Sequence, residues 1–415
     1  MAASGPLTGF RVIDLGHVLA GPFAATLLGD LGADVIKVEN PERGDTIRTL
    51  GPRHEGVSLW WKVGGRNKRS LTLDLRAPQA REILLRLVDV SDALVENFRP
   101  GTLERWGIGP DVLRERNPGL VVLRISGFGQ GEPGRPGFGR VGEAMSGAVN
   151  LTGERDGRPL HVGFSLGDAT TGLMGAFGVA CALLARERSG RGDVIDLALF
   201  EPLFRMIEWQ LPIAEKLGTV ISRQGNAFPI GYAVGGSYRA ADGRWVTISA
   251  ATQESIATVL ELVGGDEMRD DPRFASFEAR TAPGHMDAID GAVAAWIAER
   301  DATEAVRILQ AKDVAVGLVY DGGMVLEDEF FAARGAAVSV EDAELGSLRM
   351  PGVVPKFTER SGSVRWAGPR LGEHNEEILS GLLGLSREDV ARLRRAGIVR
   401  EAEAMAAVGL PEDAI

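Results

Sequence analysis

One aspartate stands where the chain could position a nucleophile. Asp168 precedes an uncharged run, 169–185, in which Gly172, Gly175 and Gly178 recur every third residue. The run predicts a helix that is apolar all round and therefore buried, with glycines that let another backbone approach closely. A carboxylate at the start of such a helix suits either a structural N-cap or a positioned nucleophile. The residues themselves leave both roles open.

Other reactive side chains are scarce. The single cysteine, Cys181, lies inside the apolar run, so we expect a buried thiol that contributes packing. One cysteine excludes a disulfide and a cysteine-based metal cage. Among only five histidines, no Ser-His-Asp arrangement is apparent.

Composition restricts the class of protein. A chain of 415 residues predicts two domains, and 44% apolar with 25% charged residues is typical of a globular protein. A net charge of −11 argues against a general nucleic-acid or anionic-membrane surface. The N-terminus lacks a charged segment followed by an apolar core, so we expect a cytoplasmic enzyme. The run 169–185 approaches the minimum length of a membrane span, but its threonines and glycines favour a core helix.

The N-terminal segment predicts a parallel sheet. Residues 11–39 have the pattern strand, helix, strand, which is a βαβ unit. Glu39 ends the second strand, as in dinucleotide-binding domains, but the turn GHVLAGP lacks G-x-G-x-x-G. NAD binding is therefore disfavoured, and Glu39 is interpreted as a solvated strand end. Alternation in RSLTLDL predicts a strand with one exposed face, near an edge of the sheet.

Composition changes again in the middle of the chain. The glycine-rich run 127–139 predicts a loop, either beside a site or mobile on the surface. Residues 231–250 predict a β-hairpin with Asp242 and Gly243 at the turn. We predict three segments: 1–225 as the large domain's N-terminal part and linker, 226–325 as a smaller α+β domain, and 326–415 as a linker and return to the large domain.

Seven segments, in order, resemble the family III CoA-transferases (the CaiB/BaiF family). This group includes formyl-CoA transferase, carnitine CoA-transferase, succinyl-CoA:glutarate CoA-transferase and α-methylacyl-CoA racemase. The resemblance covers nearly the whole chain. The segments are RVIDLGHVLAGPFAATLLGDLGADVIKVENPERGD, RNKRSLTLDL, VENFRPGTLERWGI, ISGFGQGEPGRPGF, LGDATTGLMGA, GRGDVIDLALFE and LGEHNEEIL.

The resemblance implies an α/β fold: a Rossmann-like large domain built from both chain ends, a smaller α+β middle domain, and two subunits interlocked as a homodimer. It implies a CoA-transferase that moves CoA from a donor acyl-CoA to a small carboxylic or dicarboxylic acid, and we favour succinyl-CoA as the donor. These substrates are the expected partners, with no metal, permanently bound cofactor, nucleic acid or membrane.

The resemblance also implies site residues. Asp168 matches the family's nucleophilic aspartate, which forms an aspartyl anhydride and then an aspartyl-CoA thioester. Each position matched to the CoA cleft also has a structural interpretation, such as core packing for Phe98 or a solvated helix charge for Arg105. The matched positions are Val18, Leu73, Asp74, Asn97, Phe98 and Arg105.

Some positions depart from the relatives. Asn40 stands where formyl-CoA transferase has an adenine-side arginine, and SAATQES replaces its mobile glycine loop. Phe138 replaces a tyrosine near the CoA tail. It also stands where the racemases carry the histidine of a GHD motif, which two-base racemisation requires. An α-methylacyl-CoA racemase and a catalytically idle CoA-thioester binder are the alternatives to a transferase.

Overall fold

The structure, a computed structural model, describes residues 4–230 and 233–401. The elements as far as the glycine-rich loop are β1 Arg11–Asp14, α1 Ala20–Asp30, β2 Asp34–Glu39, a 3-10 turn Thr46–Thr49, β3 Arg53–His54, β4 Val57–Ser58, α2 Leu59–Gly64, β5 Lys68–Thr72, α3 Pro78–Asp89, β6 Ala93–Glu96, α4 Thr102–Arg105, α5 Pro110–Arg116 and β7 Val121–Ser126.

The elements that follow the loop are α6 Gly139–Ser146, α7 Ala148–Leu151, α8 Leu166–Ser189, β8 Val194–Ala198, α9 Glu201–Met206, α10 Gln210–Leu217, β9 Val234–Arg239, β10 Trp245–Ala250, α11 Gln253–Arg269, α12 Phe277–Arg280, α13 His285–Ala298, α14 Ala302–Gln310, β11 Val316–Leu318, α15 Gly322–Glu327, α16 Glu329–Ala333, β12 Ala337–Asp342, β13 Gly346–Pro351, a π-helical turn Glu377–Leu382 and α17 Arg387–Arg395.

The chain forms two compact units. The first unit contains both ends of the described chain together with 163–206, and the second combines 147–162 with 207–328. The second unit therefore contains the predicted 226–325 domain together with residues on either side of it. It also contains a short segment that precedes α8 in sequence.

The first unit is built on a parallel sheet of six strands in the order β5-β2-β1-β6-β7-β8. Numbered by their sequence within this sheet, the strands run 3-2-1-4-5-6, which is the Rossmann order. The predicted Rossmann-like α/β fold is therefore confirmed. Strands β6 and β7 are buried along their whole length, as expected for a sheet covered on both faces.

Strand β5 lies at the edge of the sheet, as its sequence predicts, but it has no solvent-exposed face. Ser70 and Thr72 are buried because a C-terminal segment covers them. The backbone N–H of Ser70 donates to His374 Nδ1 at 3.2 Å, and that of Thr72 donates to Asn375 Oδ1 at 2.9 Å. The alternation of polar and apolar residues along one strand cannot show that a segment three hundred residues later in the chain packs over it.

Helix α8 packs against α1 and the sheet through one side only. A Cβ on Gly172 would lie 2.7 Å from the Ala20 carbonyl oxygen, so glycine is what permits the close approach of the two helices. The prediction that α8 is buried all round, with Cys181 inside, is wrong. Among the described helices, α8 alone is long and apolar enough to cross a membrane, and a third of its most apolar window is buried. Its exposed side carries Leu173, Phe177, Cys181 and Leu184.

The second unit contains a three-stranded antiparallel sheet in the order β11-β10-β9. Strands β9 and β10 form the predicted hairpin, and Gly243 takes φ +82° at its turn, a backbone conformation that suits glycine. Apolar side chains of the sheet form a core with residues of α11, α13 and α14. Residues 231 and 232, where the prediction began, lie outside the described residues.

Candidate active site

The first unit holds a cleft of about 410 Å³ at the carboxyl ends of its strands. His17 and Val18 follow β1, and Asn97 and Phe98 follow β6, so they lie where the strand order reverses. Ligands of doubly wound sheets bind at this switch point. Asp168 lines the same cleft, which brings four of the seven predicted site residues together. A second cleft of about 320 Å³ shares His17 and Phe98 with the first.

Asp168 does not cap its helix. Helix α8 begins at Leu166, and Ser165 occupies the N-cap position, so Asp168 is the third helical residue. The N-cap interpretation of Asp168 is therefore wrong. Its half-buried carboxylate faces the start of α6, where a Cβ on Gly139 would lie 2.1 Å from Asp168 Oδ2. Only glycine at position 139 leaves this carboxylate its space.

The surroundings of Asp168 favour its protonated form. Burial, followed by the negative charge of Glu143, raises the pKa of Asp168 from 3.8 to about 6. Glu143 is itself buried in α6, and its Oε1 accepts a hydrogen bond from the backbone N–H of Gly167 at 2.9 Å. Asp168 is therefore more basic than an ordinary aspartate, yet ionised at neutral pH, as a nucleophile must be. Glu143 was not predicted from the sequence. Its position just after the glycine-rich loop was the only feature that could have indicated a role at the site.

Val18 adopts a strained backbone conformation. Its φ is +63°, which is rare for a β-branched residue and costs about 1–3 kcal/mol. The backbone N–H of Val18 donates to Asp45 Oδ1 at 2.9 Å, and Lys37 Nζ lies 2.9 Å from Asp45 Oδ2. Burial alone would raise the pKa of Asp45, but the charge of Lys37 holds it well below its usual range. A buried ionised aspartate therefore fixes the loop beside the cleft.

The Asn97 side chain also holds the loop that carries His17 and Val18, through two hydrogen bonds to the His17 backbone. Its Oδ1 accepts from the His17 backbone N–H at 2.7 Å, and its Nδ2 donates to the His17 carbonyl at 2.9 Å. The Phe98 ring packs edge-on against the His17 ring at 5.2 Å between centroids. Burial, and then the charge of Lys37, lowers the pKa of His17, which favours a neutral imidazole. The amide of Asn97 thus holds the loop that carries His17 and Val18.

The second cleft contains Leu73 and Asp74 together with two cations that sequence analysis missed. Arg43 and Arg76 both line it, and Arg76 Nε lies 2.9 Å from Asp74 Oδ1. Asn40 Oδ1 accepts hydrogen bonds from the backbone N–H groups of Glu42 and Arg43 at 3.0 and 3.1 Å. Asn40 therefore shapes the turn that carries Arg43. Guanidinium groups beside a cleft at this end of the sheet suit phosphate recognition.

The structure also places three further residues that the sequence analysis named: Arg105, Glu39 and Phe138. Arg105 is exposed, lines neither cleft, and donates from Nη2 to Thr102 Oγ1 at 2.8 Å. Glu39 is fully buried and binds Arg48 through Oε1 at 2.7 Å, so the interpretation as a solvated strand end is wrong. Phe138 lines the Asp168 cleft with an exposed ring.

The fold and the site define a doubly wound α/β protein with a carboxylate in the cleft at its switch point. Comparison with known proteins identifies the family. The model of CoA-transferase family III matches residues 7–375, so the chain belongs to this family and is a CoA-transferase. It is 41% identical to succinyl-CoA--D-citramalate CoA-transferase of Chloroflexus aurantiacus, over 95% of this chain and 98% of that protein.

Two further relatives are similar over most of their length. The beta subunit of succinyl-CoA--L-malate CoA-transferase of Chloroflexus aurantiacus is 40% identical, over 95% of this chain and 98% of its own. The crystal structure of a CAIB/BAIF family protein from Brucella suis superposes with a TM-score of 0.80 at 31% identity, covering 91% of this chain and all of that one.

Proposed function

We propose that this CoA-transferase moves CoA from succinyl-CoA to a small dicarboxylic acid, with Asp168 as the nucleophile. The observation that carries the proposal is the position of Asp168: one basic carboxylate on the wall of a cleft at the switch point of the sheet. The names of two relatives, which pair succinyl-CoA with citramalate or with malate, support the choice of donor and acceptor.

The proposed first half-reaction requires only Asp168 and succinyl-CoA. An Asp168 oxygen attacks the thioester carbonyl of succinyl-CoA, the carbon–sulfur bond breaks, and CoA leaves as its thiolate with a succinyl-aspartyl anhydride on the protein. The thiolate then attacks the aspartyl carbonyl of this anhydride and releases succinate. Asp168 is left as an aspartyl-CoA thioester, which holds CoA while the two acids exchange.

The second half-reaction repeats these steps in reverse. The acceptor carboxylate attacks the aspartyl-CoA carbonyl, CoA thiolate leaves, and the thiolate then attacks the acceptor's carbonyl in the new anhydride. The products are the acceptor's CoA thioester and free Asp168 carboxylate. A half-buried site protects both acyl intermediates from water, which is required because each hydrolyses readily.

We further propose that two copies of the chain form a stable homodimer. The exposed side of α8 presents Leu173, Phe177 and Leu184, which are each more than half exposed. A stripe of large apolar side chains from Leu173 to Leu184 is costly in water and suits a surface that another chain covers.

Trapping the aspartyl intermediate tests the proposed mechanism. With succinyl-CoA alone, hydroxylamine should convert Asp168 to a hydroxamate and borohydride should reduce its acyl group, each giving a mass change on the peptide containing GFSLGDATTG. The adduct should be lost when an acceptor acid is added, and Asp168→Asn should never form it.

An unmodified peptide under conditions of rapid CoA transfer would rule out the aspartyl route. A mass-spectrometric screen of acyl-CoA donors against free acids identifies the substrates independently. Transfer from other donors, with none from succinyl-CoA, would contradict the proposed donor alone.

A further inference from the structure

A third cavity, larger than both clefts, lies beside the strained loop that carries Val18. Its volume is about 590 Å³, and Val18 and Leu19 line both this cavity and the Asp168 cleft. Ser165 and Ala169, the neighbours of Asp168 along the start of α8, also line it. The cavity therefore adjoins both the Asp168 cleft and the start of the helix that carries Asp168.

The wall of the cavity is largely apolar. The Trp61 ring is buried, and its one polar group, the indole N–H, donates to the Pro369 carbonyl at 2.8 Å. Carbon chains bind in apolar pockets of this size range, where they lose contact with water. Other apolar side chains of the wall include those of Pro22, Phe23, Ile47, Trp60 and Phe164.

Two arginines line this largely apolar cavity, and they differ in their partners. Arg66 binds Asp30 at 2.5 Å and donates a further hydrogen bond to the Pro351 carbonyl. Arg140 is exposed, and within residues 4–230 and 233–401 no hydrogen bond or ion pair occupies its guanidinium. Arg140 is therefore the lining cation that is available to an anionic ligand.

The position of Arg140 on its helix does not favour a structural role. It is the second residue of α6, and a positive charge in the first turn of a helix opposes the helix dipole. The preceding residue, Gly139, is the one whose Cα faces the Asp168 carboxylate. Arg140 is thus adjacent in sequence to Gly139, the residue that contacts the proposed nucleophile, Asp168.

We propose that this cavity holds the acyl chain of a dicarboxylic substrate and that Arg140 binds the carboxylate at its far end. The inference rests on the proposed CoA transfer and specifies how the acid is recognised. One carboxyl group reacts at Asp168, the carbon chain packs against the apolar wall, and the second carboxylate pairs with the guanidinium. A monocarboxylic acid would leave Arg140 without its anion.

A matched pair of donors tests this proposal. Succinyl-CoA and butyryl-CoA have acyl chains of equal carbon number, but only the succinyl chain ends in a carboxylate. Removing a charge-assisted hydrogen-bond partner should reduce kcat/KM for succinyl-CoA about 10- to 100-fold in Arg140→Gln. The kcat/KM for butyryl-CoA, or its inhibition constant if it is not turned over, should change less than about threefold.

Two further variants separate recognition from folding. Arg140→Lys keeps the charge and should recover part of the succinyl-CoA activity, while Arg387→Gln, at an exposed arginine outside the cavity, should leave both donors unaffected. Equal losses with both donors, or no loss with succinyl-CoA, would overturn the role of Arg140. An absence of CoA transfer by the unmutated protein with every donor would instead refute the proposed function.

Discussion

Replacing Asp168 by asparagine should stabilise the fold while abolishing activity. Asparagine imitates the shape of the protonated acid without its charge. The pKa of Asp168 is raised from 3.8 to about 6, a difference of about 2 pH units. Ionising Asp168 therefore costs more free energy in the folded state than in the unfolded state. Two pH units correspond to about 3 kcal/mol. Asp168→Asn should therefore gain up to about 3 kcal/mol in the free energy of unfolding at pH 8.

The sign of the pH dependence follows from proton binding. Between pH 3.8 and about 6 the folded state holds the Asp168 proton more tightly than the unfolded chain, so stability falls as pH rises through this window. The gain of Asp168→Asn should thus be small at pH 4, below about 1 kcal/mol, and complete above pH 7. For a chain of 415 residues, about 3 kcal/mol corresponds to about 3 °C in Tm.

The assay is thermal unfolding of both proteins between pH 4.5 and 8, with CoA transfer measured in parallel. The transfer rate of Asp168→Asn should fall more than about 1,000-fold, because an amide oxygen is a poor nucleophile. Asp34→Asn provides a control of opposite sign. Burial would raise the pKa of Asp34, but hydrogen bonds from Arg69 and Arg11 outweigh it and lower the pKa. That variant should lose stability at neutral pH and approach the parent in acid.

Two results would refute the reasoning. If Asp168→Asn melts below the parent at pH 8, the carboxylate is stabilised by contacts that outweigh its burial. If the difference in Tm does not vary between pH 4.5 and 8, the pKa of Asp168 is not raised. Activity above a tenth of the parent's would separately exclude Asp168 as the nucleophile.

Three further predictions concern catalysis and assembly. The kcat/KM should rise about tenfold per pH unit below the Asp168 pKa of about 6 and level off above it, and a flat profile down to pH 5 would contradict the need for an ionised Asp168. A 2-methylacyl-CoA incubated in D2O should gain no deuterium at its α-carbon, since the Phe138 side chain has no ionisable group; exchange as fast as transfer would favour a racemase. Light scattering and native mass spectrometry at nanomolar concentration should give the mass of a dimer, and a monomer would contradict the proposed assembly.

The sequence determined the parts that depend on local pattern. Short segments rich in valine, isoleucine and leucine, such as DVIKVE and VVLRIS, are buried strands of a parallel sheet that is covered on both faces. The glycine spacing in α8 correctly indicated a close approach, which the structure places at Gly172 against α1. The segments shared with family III CoA-transferases specified the family, which the match over residues 7–375 confirms.

Only the tertiary structure decided what surrounds each charge. The sequence places Asp168 near a helix start, but its raised pKa depends first on burial and then on Glu143, which α6 brings close from 25 residues away. It marks Glu39 as a strand end, whereas in the fold Glu39 is a buried ion-pair partner of Arg48 and accepts a hydrogen bond from Ser70. Burial and pairing depend on elements that are distant in sequence and meet only in the folded chain. For the same reason, the one-sided exposure of α8 and the position of Arg140 in the wall of a largely apolar cavity could not be predicted from the residues alone.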